Sequence, residues 1–76
     1  MPDASGLDGL SGELREYLER IGQRLDVLSQ RPWNERLLFY GSAEWDIQRF
    51  AINQEEAGEA VGYVSRKLRL DGNPFL

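Results

Sequence analysis

The stretch Ser42–Gly72, SAEWDIQRFAINQEEAGEAVGYVSRKLRLDG, decides the fold. Within it Ile47, Phe50, Gln54, Ala57, Val61, Val64 and Leu68 recur at alternating steps of three and four, and all but Gln54 are apolar. That spacing is an a/d stripe along one side of a helix. The first half of the stretch carries Glu44, Asp46, Glu55, Glu56 and Glu59 against Arg49 alone, and the end carries Arg66, Lys67 and Arg69. This gradient follows the helix macrodipole, which favours anions at the N-terminus and cations at the C-terminus. Ser42 is placed to cap, and Gly72 followed by Pro74 to stop. The stretch therefore reads as one long helix over 43–71. Asn53 followed by Glu56 resembles a capping box and would divide it into 43–51 and 54–71. Continuity of the stripe across Asn53 favours a single helix or a shallow bend.

Toward the N-terminus, Leu14, Leu18, Ile21, Leu25 and Leu28 form a second stripe with steps of four, three, four and three. Ser11 is a good cap and Glu13 sits in the first turn. Pro32 disfavours the helical conformation at Arg31, so this helix spans 12–30. Pro32 suits the first position of a new helix and Gly41 the stop after one, which places a short helix at 33–40. A β-hairpin is the rival over 36–48: Leu37–Tyr40 has strand character, Gly41 and Ser42 would turn, and Trp45 and Ile47 begin an alternation. Arg49 and Phe50 break that alternation. The expected fold is all-α, a helical hairpin of two long amphipathic helices joined by a short one and dimerising into a bundle. Residues 1–11, with Gly6 and Gly9, read as a flexible arm, 12–72 as a single domain and 73–76 as a tail.

The chain has 76 residues, and a core of that size contributes only about 3–5 kcal/mol of net stability. Cysteine and histidine are both absent, so neither a disulfide nor a Cys/His zinc site is available as a staple. Self-association or a partner chain remains, and the seam assigned to self-association is Leu14, Leu18, Ile21, Leu25, Leu28, Ile47, Phe50, Val61, Val64 and Leu68. The same absences remove the usual nucleophile–base triads. Glu13/Glu16 and Glu56/Glu59 have the spacing of ordinary solvated helix faces, and no glycine loop precedes a Lys-Ser/Thr pair. No catalytic residue, metal, cofactor or small-molecule substrate is expected. A net charge of −4 does not suit non-specific nucleic-acid binding. No apolar run reaches the roughly 20 residues that cross a bilayer, and Met1–Gly12 lacks the pattern of a secretory signal, so a cytoplasmic protein is expected.

Trp33, Tyr40, Trp45, Ile52 and Tyr63 lie off the two stripes and are the candidates for partner binding, since tryptophan and tyrosine are enriched where partners dock. The reading is a non-enzymatic protein–protein interaction or assembly module. An assembly subunit, an antitoxin-like neutraliser and a phage-type inhibitor all fit, with a homodimer or another protein as partner. The alternative is a helix-turn-helix DNA-binding regulator over 54–70, with its turn at Gly62 and Ser65, Arg66, Lys67 and Arg69 facing DNA. Leu70-Asp71-Gly72-Asn73-Pro74-Phe75 is similar to the chain after the recognition helix of excisionase-type proteins, a resemblance that implies DNA binding. The sequence departs from that family where the second helix is short and where Asp71 replaces an apolar residue.

Overall fold

Residues 7–70 are described by a computed structural model, and every regular element among them is a helix. The elements are α1 (Gly12–Arg20), α2 (Gly22–Leu28), α3 (Trp33–Phe50) and α4 (Gln54–Lys67). The expected all-α class is observed, with different element boundaries. The 12–30 helix divides at Ile21, whose backbone (φ −91°, ψ 2°) leaves the helical range just before Gly22. Glycine is a common site of helix bending because it lacks the Cβ that restrains the backbone. The Ile21 N–H still donates to Tyr17 O at 3.1 Å, so the break is a kink within one path.

The short helix and the first part of the long one are a single element. α3 runs through Gly41 and Ser42, which are neither stop nor cap, and no hairpin forms over 36–48. Glycine inside a helix costs about 1 kcal/mol relative to alanine, less than the unsatisfied N–H and C=O groups that two extra helix ends would leave. The real division is at Ala51–Asn53, where Asn53 Oδ1 accepts from the Glu56 N–H at 2.8 Å. The Glu56 carboxylate reaches back to the Ile52 N–H at 2.9 Å, one residue further than in the usual reciprocal box. Local capping therefore overrides the a/d stripe. Gln54 begins α4 exposed, its amide donating to Gln48 Oε1 at 3.2 Å.

α4 continues unbroken through Gly62, so the helix-turn-helix of the alternative reading over 54–70 is not formed. It ends earlier than 71, in a Schellman-type cap: Leu70 N–H donates to Ser65 O and Arg69 N–H to Arg66 O, each at 3.1 Å. The left-handed position is filled by Arg69 (φ +57°), where glycine is the usual occupant. Gly72, expected as the stop, lies outside the described residues, as do positions 1–6 of the arm and the tail at 73–76.

The core gathers Leu14, Leu18, Leu25, Ile47, Val64, Leu68 and Leu70, all fully buried, with Ala43, Ala57 and Ala60 where helices approach closely. α3 packs chiefly on α4, α1 on α3, and α2 on α4. Leu10, within the expected arm, is buried in this core and Leu7 packs against it.

Candidate interaction surface

The seam assigned to self-association closes within one chain. Six of its ten residues are fully buried there, namely Leu14, Leu18, Leu25, Ile47, Val64 and Leu68. Ile21, Leu28, Phe50 and Val61 are half-buried against them. Surface for a partner must be sought elsewhere.

The five off-stripe residues separate. Tyr63, 9% exposed, belongs to the core, and Tyr40 is half-buried against it. Trp33, at the start of α3, is 41% exposed and carries the Arg36 guanidinium 4.3 Å above its ring. Trp45 is 68% exposed, and Ile52, in the connector after α3, is 73% exposed. The sequence reading missed Leu38, the most exposed large apolar residue of the described chain at 79%. Its signal was available: Leu38 precedes Trp45 by seven residues, two helical turns.

These residues mark a face. With 100° per residue, Asn34, Leu38, Gly41, Ser42, Trp45, Gln48 and Arg49 occupy a sector of about 120° on α3, and all are exposed. The opposite side carries Ala43 and Ile47 into the core. The outward sector contains no carboxylate, although the chain has 13 acidic residues against nine basic. Its centre is small, and a Cβ built on Gly41 would meet nothing within 4 Å. α3 is thus apolar on two sides, one used inside the chain and one open.

Two carboxylates beside the face, Glu35 and Asp46, are held by neighbouring side chains. Arg31 donates to both oxygens of Glu35, at 2.9 and 3.1 Å, and this bond holds the Glu35 carboxyl below the usual carboxylate range. Asp46 turns inward, accepting from the Tyr17 hydroxyl at 2.8 Å. Burial, then that bond and the adjacent Asp46 charge, push the Tyr17 phenol above the ordinary tyrosine range. Tyr17 also packs on Phe50, ring centroids 5.3 Å apart. These contacts set the rotation of α3 on α1 and so the direction its outer face points.

Arg36 fixes the other end of α3. Its Nη1 donates to Leu68 O at 3.0 Å and Arg69 O at 2.9 Å, the carbonyls at the end of α4, and its Nε donates to Arg31 O at 2.8 Å. Of the residues assigned to DNA, Ser65 and Lys67 are half-buried, with Lys67 5.8 Å from the Tyr63 ring centroid. Arg66 and Arg69 are exposed.

A separate open hollow of about 250 Å³ is lined by Gly9, Ile52, Asn53, Glu55, Glu56 and Glu59. The Glu56 carboxylate there is already held by Ser11 and Ile52. No group of three or more candidate metal ligands occurs among the described residues, and no helix among them is long and apolar enough to cross a membrane. Comparison with family models, curated proteins and solved structures returns no match.

Proposed function

We propose that this chain is a small non-enzymatic protein–protein interaction or assembly module that docks a partner on the outward face of α3. The observation that carries the reading is the pair Leu38 and Trp45, both strongly exposed, two turns apart on a carboxylate-free face of an acidic chain. Exposed tryptophan and leucine on one helix side supply the apolar centre of an interface, and Asn34, Gln48 and Arg49 its polar rim. The reading covers an assembly subunit and an antitoxin-like or phage-type inhibitor alike, since both act by contact.

Site-specific photocrosslinking tests it. A benzophenone side chain at Ser42 is expected to give one discrete protein adduct in the cell that expresses the chain. The same probe at Gln23, an exposed position on α2, should give none of that adduct. Trp45→Ala should remove the adduct while the far-ultraviolet helical spectrum is unchanged. No adduct from Ser42, or equal adducts from Ser42 and Gln23, overturns the reading.

A further inference from the structure

The outward face of α3 reads almost the same from either end. About the midpoint between Gly41 and Ser42, Leu38 on one side corresponds to Trp45 on the other, and Asn34 to Arg49. The order is polar, large apolar, small, small, large apolar, polar. A twofold interface must be self-complementary, with residue i of one copy against residue j of the other and the reverse. Two antiparallel α3 helices with their twofold axis at Gly41–Ser42 meet that condition. Each Leu38 then lies against the indole of Trp45 of the second copy, twice per dimer. The glycine and serine at the axis let the two backbones approach closely.

Charge agrees with the same register. Arg49 and Glu35 lie on the same flank of the face, and in the antiparallel arrangement Arg49 of one copy stands level with Glu35 of the other. Each copy thus brings its Arg49 beside the Arg31–Glu35 pair of the other on that flank. A parallel twofold pairing would set that flank of the two copies on opposite sides of the seam, with Arg49 level with Arg49, and would bring no Arg49 near a Glu35.

We infer that the occupant of this face is a second copy of the chain, paired antiparallel through α3 about Gly41 and Ser42. The inference rests on the interaction reading and names its partner. One helix pair is a small interface, so the dimer dissociates at roughly micromolar concentration.

The experiment is sedimentation equilibrium on the full chain from one to several hundred micromolar, with single-cysteine crosslinking in the otherwise cysteine-free sequence. The mass should rise from 8.7 kDa toward twice that value. Leu38→Glu should weaken association about 100-fold, as loss of two equivalent apolar anchors would. Arg49→Glu should weaken it by about tenfold. Oxidation should join Ser42→Cys chains rapidly and leave Arg49→Cys chains unjoined, because the two Arg49 positions stand about 22 Å apart along an antiparallel pair. Rapid joining at both positions means a parallel pair and overturns the register. A monomer at every concentration, together with a Ser42 photo-adduct to a different protein, overturns self-pairing and leaves the interaction reading standing. A monomer with no adduct at all overturns both. Leu38 and Arg49 are exposed, so helical spectra of the variants should match the parent.

Discussion

Ser11 and Glu56, 45 residues apart, hold the start of α1 against the start of α4. The Glu56 carboxylate accepts from both the backbone N–H and the hydroxyl of Ser11 and also from the Ile52 N–H. One side chain therefore satisfies the open N–H groups at two helix entrances, where the macrodipole favours its negative charge. Ser11 is the α1 cap, yet its side chain makes no capping bond to its own helix. Its hydroxyl is spent on Glu56.

Replacing Glu56 tests this junction. The Ile52 N–H bond, then the Ser11 N–H bond, hold the Glu56 carboxyl below the usual carboxylate range. A carboxylate with a depressed folded pKa stabilises the fold above its unfolded pKa, and that contribution is lost as pH falls through the folded value. Glu56→Gln should lower the urea midpoint at pH 7. The gap between parent and variant should narrow on acidification below the ordinary glutamate pKa of about 4.3. Asn53→Ala, which removes the neighbouring cap alone, should cost about 1 kcal/mol and leave a smaller loss than Glu56→Ala. A gap that persists unchanged in acid would show that packing, not charge, holds the junction.

Arg36 joins three segments: its own helix, the carbonyl of Arg31 before it, and the last carbonyls of α4. Arg36→Ala should destabilise the chain by about 1–2 kcal/mol, since its bond to Leu68 O is partly buried and those to Arg31 O and Arg69 O are exposed. Arg36→Lys should recover less than half, because an ammonium lacks the planar fork and the stacking on Trp33. Chemical denaturation followed by Trp fluorescence measures both. Equal stability of parent and Arg36→Ala would contradict the tie.

The α-class of the fold was legible because the apolar spacing of three and four dominates both halves of the chain. The division at Asn53 was legible as a capping signal, and the continuity of the stripe outweighed it in the sequence reading. That choice failed because a stripe records which residues are buried and not whether one backbone path carries them. Ile47 and Val64 both reach the core from different helices. The misassignment at Gly41 has a similar cause. Glycine marks a helix end only where the backbone turns left-handed, and in this chain that position went to Arg69. Trp45 and Ile52, off the stripes, are both exposed, whereas Leu38 was absorbed into a short apolar run, Leu37–Tyr40, although its spacing of seven from Trp45 separates it from that run. The tie from Arg36 to the end of α4 carried no local signal, since those acceptors lie 32 and 33 residues away.

Tyr17→Phe isolates the α1–α3 contact. The variant keeps the ring packing on Phe50 and loses the bond to Asp46, which should cost about 1 kcal/mol. The Tyr17 phenol is raised above the ordinary tyrosine range, first by burial. A raised folded pKa means that its contribution is complete below the unfolded tyrosine pKa of about 10 and is lost as pH rises through the folded value. Ultraviolet titration should therefore show a tyrosine phase in the parent displaced to high pH. Tyr17→Phe should remove that phase. Persistence of the phase in the variant would assign it to another residue.

Gly41→Ala gives opposite signs for the two readings of the chain centre. In α3 as observed, Gly41 is a mid-helix residue whose added methyl meets nothing within 4 Å. Alanine there should stabilise the monomer by about 0.5–1 kcal/mol through lower backbone entropy in the unfolded state. At a left-handed helix stop the same change would destabilise by at least that much. Thermal unfolding at a few micromolar or below, where mass action adds little, reads the monomer term. At several hundred micromolar the methyl at the twofold axis holds the paired backbones apart, so association should weaken while the monomer gains. A variant that melts higher when dilute and associates less when concentrated is the combined signature of an unbroken α3 and of a glycine at its contact with a second copy. A lower dilute melting temperature would return Gly41 to the end of a helix and remove the continuous face on which the docking site depends.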